Sequence, residues 1–286
     1  MEIEIICPLY NAEKYIKQLD ESIRKQKNVK IKQITYLLTE CSDNTENILK
    51  EISANYSIIK KEEFSHSLTR EKQALKSDSD ILVFITQDIE IRNTDWLEKL
   101  VNPIIKGESE ASFSRQLTKY DNIEKYTRER NYPDESYIVS EKDINQMGLQ
   151  TFFFSDASSA IKTEIFKNLN GYDNKNLPTN EDMYIAHKLI INGYKIKYCS
   201  DSVIYHSHKF SLKQLYKRYY DTGLFFKQNT FIDKYGTNKS GGGMAVYILK
   251  RAIKDKNWKV LLEFFPNMMV RFIGMKVGKI NGKRFN

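Results

Sequence analysis

ILVFITQDIEI, residues 81–91, begins as an almost unbroken apolar run and then turns polar, delivering Asp88 and Glu90 at its far end. Carboxylate oxygens are hard ligands, suited to a divalent cation such as Mg²⁺ or Mn²⁺ and, through it, to an anionic nucleotide diphosphate. Taken alone, two acids in a loop before a helix are equally well explained as solvated charges. Their chemistry therefore depends on the elements that would position them.

The first hundred residues alternate strand and helix signals. IEIIC (3–7) reads as a strand stopped by Pro8, and residues 11–27 as a helix with Ile16, Leu19 and Ile23 on one face and Asn11 as its cap. Strands at 31–39, 57–62 and 81–86 alternate with helices at 45–56 and 67–77, and a further helix covers 96–105. Near-continuous apolar strands alternating with helices predict an α/β fold whose mostly parallel sheet is covered on both faces. Ligands of such sheets lie beyond the carboxyl ends of the strands. That rule gathers residues 8–11, 40–44, 66–70 and 87–90 around one crevice, so the acids of the opening stretch belong to a site.

Residues 107–150 are polar and tyrosine-rich, and read as a long substrate-facing loop or lid. Beyond them, 151–161 is apolar, and 176–208 gives a capped helix, a stop at Gly193 and a pair of strands. KSGGG (239–243) is the expected hinge into a C-terminal helical segment. The expected division is 1–225, with a nucleotide-binding half (1–106) and an acceptor half (107–225), followed by a basic amphipathic segment, 226–286.

The hydrophobic fraction of 41% supports a substantial core, and 29% charged residues exclude a membrane-embedded class. No apolar stretch reaches the roughly 18 residues of a spanning helix. The N-terminus reads as a strand rather than a signal peptide. Three cysteines, far apart and without metal-ligand spacing, fit free thiols in a reducing cytosol. The net charge of +8 is carried by the tail, since residues 241–286 hold ten Lys or Arg against two acids. LLEFFPNMMVRFIGM interleaves these charges with apolar residues, which suits an anionic membrane surface better than a nucleic acid. An ordinary helical layer with a solvated basic face explains the tail equally well. Homo-oligomerisation is compatible with the sequence.

The order of these pieces resembles the family-two glycosyltransferases of GT-A fold. CPLYNAEKYI, CSDNT, LTREKQAL, the acid-ended fourth strand and NEDMYIAHKLIINGY carry the likeness. FSHSLTREKQAL, FITQDIEI, SRQL, FFFSDASSAI and IYHSHKFSLKQLYKRYYDTG are similar to the bacterial rhamnosyltransferase branch. The resemblance runs over most of the chain.

It implies the following roles. Asp88 of Thr86-Gln87-Asp88 matches the acid that meets the metal, with Glu90 as an assistant or a solvated neighbour, and His206 matches a late histidine near the metal or diphosphate. His208 is a second candidate, placed with the acceptor-side residues. Asp182 matches the catalytic base, which takes the proton of the attacking acceptor hydroxyl. Glu181 beside it stands with the acceptor-side residues or complements the helix dipole. Pro8, Leu9 and Tyr10 resemble the nucleobase-holding loop, His66 and Arg70 lie on the donor side, and Arg70 suits bidentate contacts. The family's aspartate after the second strand is missing: the chain reads Thr39-Glu40-Cys41, and Glu40 stands in one residue displaced. Arg115 falls near the donor sugar and Asp156 near the acceptor. Trp96 either stacks on an acceptor sugar or anchors its helix to the core.

The expected protein is thus an inverting, metal-dependent glycosyltransferase. Its expected donor is a nucleotide-sugar, dTDP-L-rhamnose first, and its acceptor a polysaccharide or glycoprotein glycan, lipid-linked or protein-linked. A cytoplasmic location, at the inner face of the plasma membrane, is the matching expectation. A UDP-hexose donor is one alternative; a non-catalytic nucleotide-sugar-binding module is another.

Overall fold

The computed structural model describes residues 1–282, apart from the side chains of 237–240. The chain opens with β1 (Glu2–Leu9), α1 (Ile16–Arg24), β2 (Lys30–Thr39), α2 (Thr45–Glu51), β3 (Tyr56–Ile59), α3 (His66–Ala74) and β4 (Ile81–Ile85). These four strands run parallel in the order β3-β2-β1-β4. β4 is buried throughout because both its faces are covered. Leu82 and Phe84 enter one core, and Ile81, Val83 and Ile85 the other. An apolar run without alternation is the signature of that two-sided burial. Asn11 is no helix cap: it takes a left-handed φ of 48° in the turn before α1 and accepts a bond from the Ser42 amide.

The second half adds β5 (Ile89–Glu90), α4 (Trp96–Ile105), β6 (Ala111–Leu117), α5 (Ile123–Asn131), β7 (Tyr137–Val139) and α6 (Ile144–Met147). It closes with β8 (Ser158–Lys162), α7 (Thr163–Asn168), α8 (Glu181–Ile191) and β9 (Ile196–His206). The sheet continues β4-β8-β6-β9-β5, with β8 antiparallel to both neighbours and β7 pairing with β9. Two expectations change here. The supposed loop of 107–150 contains a central strand, β6, and the expected pair of late strands is one strand, β9, with a register break opposite Ser114 and Arg115.

β6 escapes an apolar pattern because its buried face is lined with hydroxyls. Ser112 donates to the Leu100 carbonyl (2.5 Å), while Ser114 meets Ser158 and Ser202 at 2.6 and 2.8 Å. The fully buried Trp96 donates its indole N–H into this network, 3.1 Å from Ser114 Oγ and from Ser158 Oγ. Buried polar groups persist where each finds a partner.

Four helices finish the chain: α9 (Leu212–Gln228), α10 (Thr230–Asp233), α11 (Thr237–Lys254) and α12 (Trp258–Asn281). The expected hinge at 239–243 lies inside α11, whose Ile248 and Ala252 pack against Ile123 and Tyr126 of α5. Tertiary packing of this kind overrides the poor helix propensity of glycine. α12 lies tight along α9: a Cβ on Gly278 would stand 2.0 Å from the Tyr220 carbonyl oxygen. Its buried stripe is Val260, Phe264, Asn267, Arg271, Gly274 and Gly278, at the 4-3-4-3-4 spacing of one helix face. Two of those six are polar and two are glycine, whereas the opposite face exposes large apolar side chains. Among the described residues, no helix is long and apolar enough to cross a membrane.

Candidate active site

The carboxyl ends of β1, β2, β3 and β4 and the segments that follow them enclose a cleft of about 490 Å³. Pro8, Leu9, Tyr10 and Phe64 give it apolar walls, and Thr39, Lys61, His66, Arg70, Thr86, Gln87 and Asp88 complete it. Gln87 fastens two of those segments together. Its Oε1 accepts the Tyr10 amide at 2.7 Å, and its Nε2 donates to the Tyr10 carbonyl at 2.9 Å. The Thr39 hydroxyl is buried in this cleft without a protein partner among the described residues. Glu40 takes no part in it, because its carboxylate turns aside to the Lys61 amide (3.3 Å).

His66, Arg70, Thr86 and Asp88 also line a second, adjoining cavity of about 500 Å³. Here β5 pairs with β9 so that Ile89 stands opposite His206, which brings the histidine to Asp88. Asp88 Oδ1 lies 3.4 Å from His206 Nε2, and Oδ2 lies 3.7 Å from His208 Nδ1. The two imidazoles meet edge-on at 4.3 Å. His206 Nδ1 faces Gln116 Oε1 at 2.9 Å, an oxygen that also accepts from Arg128. The Arg128 guanidinium also reaches Nδ1, at 3.4 Å, so Nε2 is the ring nitrogen that faces Asp88.

Burial works to raise the pKa of Asp88, but the contact with His206 and the nearness of His208 outweigh it and hold the carboxyl well below its usual range. Burial pushes both histidines down, His208 to about 4, with His206 adding to that shift. At neutral pH the group is therefore one carboxylate and two neutral imidazoles. One ligand atom from each lies within 4.8 Å of the others. That donor set fits a divalent cation.

The other chemical group of the cavity sits at the start of α8. Asn180 takes a left-handed conformation (φ 60°) and turns the chain so that Glu181 and Asp182 both line the cavity. Asparagine tolerates that region better than most side chains. The buried guanidinium of Arg70 lies 3.2 Å from Glu181 and binds the His66 carbonyl at 3.0 Å. Asp156, also buried, accepts from Ser159 and Tyr172, each at 2.8 Å. Asp182 forms no ion pair among the described residues; its Oδ1 accepts the adjacent Met183 amide at 2.8 Å, and the charge of Arg218 acts on it only weakly beside the opposing effects. Burial, then the charges of Glu181 and Asp156, raise its pKa well above the ordinary carboxylate value. A carboxylate poorly stabilised as an anion is the stronger base.

The structure thus brings together Asp88, His206, His208, Asp156, Glu181 and Asp182 around one cavity, and Pro8, Leu9, Tyr10, His66, Arg70, Thr86 and Gln87 around its neighbour. His208 moves from the acceptor side to the Asp88 cluster. Besides Glu40, three candidates leave the site. Glu90 points away from Asp88 and pairs with Arg92 (2.6 Å) and Lys119. Arg115 pairs with Asp134, while its neighbour Gln116 faces the cavity, as alternation along a strand requires. Trp96 lies beneath the sheet, out of reach of any sugar.

Other lining residues gave no usable pattern in the sequence. Arg128 comes from α5, in a segment read as loop, and Arg271 from α12, in the tail, while Arg218 comes from α9, inside the IYHSHKFSLKQLYKRYYDTG stretch but not singled out there. Their shared signal is an arginine on a helix with aromatic neighbours. Such residues are common on solvated faces.

Residues 4–169 match Glycosyl transferase family 2. The chain is 31% identical to the O-antigen chain rhamnosyltransferase WbaN of Salmonella anatum over 96% of its own length and 88% of the relative's. It is 30% identical to the O-antigen chain rhamnosyltransferase RfbN of Salmonella typhimurium, over 98% and 90%. Among solved structures it is similar to the mannosyltransferase PcManGT from Pyrobaculum calidifontis in complex with GDP-Man and Mn²⁺. That likeness has a TM-score of 0.67 and 14% identity over 99% of this chain and 88% of the other, and it concerns the fold alone. The mixed sheet flanked by helices is the GT-A fold, and the chain is a glycosyltransferase belonging to glycosyl transferase family 2.

Proposed function

We propose that the protein transfers L-rhamnose from dTDP-β-L-rhamnose, with inversion, onto a growing O-antigen-type polysaccharide. The observation that carries the reaction type is the pairing of two groups in one cavity: a cation-ready Asp88–His206–His208 cluster and an unneutralised base, Asp182. The two relatives named as O-antigen chain rhamnosyltransferases support the choice of sugar and acceptor.

In this reading the apolar cleft between Tyr10 and Phe64 takes the base, and the chain beyond it takes the sugar. Asp182 accepts the proton of the acceptor hydroxyl as its oxygen bonds to the anomeric carbon, and the bond from that carbon to the diphosphate oxygen breaks on the opposite side. Asp88, His206 and His208 would hold a divalent cation, which supplies charge neutralisation to the departing diphosphate. One base is enough for such a displacement, whereas glycoside hydrolysis uses two carboxylates flanking the bond. Glu181, tied to Arg70, and Asp156, tied to Tyr172, are poorly placed to share the role.

The test is a donor screen with Mg²⁺ or Mn²⁺, following nucleotide release and protection against thermal unfolding. Selective response to dTDP-rhamnose supports the proposal. A selective response to a UDP-hexose keeps the base and the cation site but overturns the sugar, and nucleotide binding without turnover overturns the reaction.

A further inference from the structure

The six most exposed large apolar side chains among the described residues (Trp258, Leu262, Phe265, Met269, Phe272 and Ile280) all sit on α12. Their relative exposures run from 60% to 81%, and the first five repeat at intervals of four and three residues, which aligns them along one side of the helix. The inward side holds Asn267, Arg271, Gly274 and Gly278. Beyond Val260 and Phe264, which pack inward near its start, the helix is therefore inverted relative to a water-facing helix of a soluble protein, with polar and small residues in and most of its large apolar residues out. A contiguous apolar patch of this kind marks a surface that meets something other than water.

The surrounding charge selects the occupant. Lys250, Lys254, Lys256, Lys259 and Lys276 are exposed on α11, the turn after it and α12, and Glu263 is the lone acid of α12. A second copy of the chain would bring an equally basic surface against this one. An anionic lipid surface complements both the charge and the aromatic stripe, since such a helix lies in the interface with its apolar face among the upper acyl chains. We infer that the outer face of α12 docks on an anionic phospholipid bilayer, lying on it without crossing it. The inner face of the same helix supplies Arg271 to the active-site cavity, where it donates to Glu124 (2.7 Å) and Tyr219 (2.6 Å). The docked surface is thus one helix thickness from the catalytic groups. The inference stands independently of the donor sugar.

Co-sedimentation of the full chain with phosphatidylcholine vesicles, with and without phosphatidylglycerol, tests it. The expected result is pelleting only with phosphatidylglycerol, weakened by salt. Trp258 is the exposed one of two tryptophans, so its emission should shift to the blue on binding while the buried Trp96 contributes a constant background. The triple variant Leu262→Ser, Phe265→Ser, Phe272→Ser should lower partitioning more than about tenfold. Replacing Lys250, Lys254, Lys256 and Lys259 by Gln should abolish the preference for the anionic lipid. Unchanged thermal melting midpoints show that both variants remain folded. Wild-type protein that stays in the supernatant with anionic vesicles, or a triple variant that pellets like wild type, overturns the inference. So does a wild-type dimer that the triple variant makes monomeric while neither binds vesicles, an outcome that would assign the face to a second copy.

Discussion

Asp88 and His206 stand 3.4 Å apart across the two-residue pairing of β5 with β9, so a carboxylate from the parallel half of the sheet meets an imidazole from the last strand. The contact closes the sheet at its carboxyl edge and joins the donor cleft to the acceptor side. His208 completes the group from just beyond the end of β9.

Asp88→Ala removes the carboxylate of this trio and should weaken Mg²⁺- or Mn²⁺-dependent binding of dTDP by about tenfold or more, the scale on which metal-site substitutions act. His206→Ala should do the same. Calorimetry on wild type and both variants, with and without the cation, checks this, and equal affinities in all six conditions would remove the cluster from donor binding.

Asp182→Asn separates chemistry from stability. Transfer should fall by roughly 10²–10⁴-fold, the contribution of a positioned base, with dTDP affinity retained. Because the folded carboxyl titrates above its unfolded value of 3.8, ionisation costs stability as pH rises past that value, and an amide avoids the cost. The variant should therefore melt higher at pH 7, by roughly 2–4 °C for each ~1 kcal/mol recovered. A variant that loses dTDP binding along with transfer, or melts lower, would contradict the assignment.

His187 gives the fold an acid-sensitive point away from the chemistry. It packs against Phe152 and Phe231, each at 5.0 Å, and burial lowers its pKa from 6.5 to about 4. The unfolded chain binds a proton here below pH 6.5 and the folded chain does not, so stability is intact above that pH and drains as pH falls towards 4. The loss should be on the order of 1–3 kcal/mol. His187→Phe should flatten the fall in urea midpoint between pH 7 and 4.5; an equal fall in both proteins would place the sensitivity elsewhere.

Trp96→Phe tests whether that indole is structural. It removes the indole N–H from a hydroxyl network whose members Ser114, Ser158 and Ser202 keep one another as partners, at a cost of about 0.5–1.5 kcal/mol. KM for both substrates should stay within about twofold, because a fully buried side chain gains no energy from substrate. A large rise in acceptor KM with unchanged stability would restore Trp96 to the acceptor site.

The parallel half was legible in the sequence because β1, β2 and β4 are buried on both faces and therefore read as apolar runs. β6 was not, since its Ser112, Ser114 and Gln116 are satisfied by groups from α4, β8, β9 and α5 that no local pattern announces. Asp88, His206 and Asp182 could be named from their motifs. Alternation along a strand already points His208 to the side of His206, and the structure places both beside Asp88 rather than with the acceptor-side residues. Arg115 has the right chemistry on the wrong face of its strand, and Glu90 is drawn off by Arg92 and Lys119, partners that the local pattern does not announce. The C-terminal helix looked amphipathic in sequence, and only its packing on α9 reveals that the polar side is the inner one.

Gln87 uses both ends of its amide on the two backbone groups of Tyr10. A carboxylate in its place could take the amide hydrogen but would oppose the carbonyl, so this position calls for a group that both gives and receives. The residue it holds is a wall of the base cleft, and the residue that follows it is Asp88. Under the proposed function, recognition of the nucleobase and capture of the cation would thus share one mechanical joint. A substitution that widens the cleft for a different base will move the carboxylate as well, and the two properties cannot be tuned one at a time.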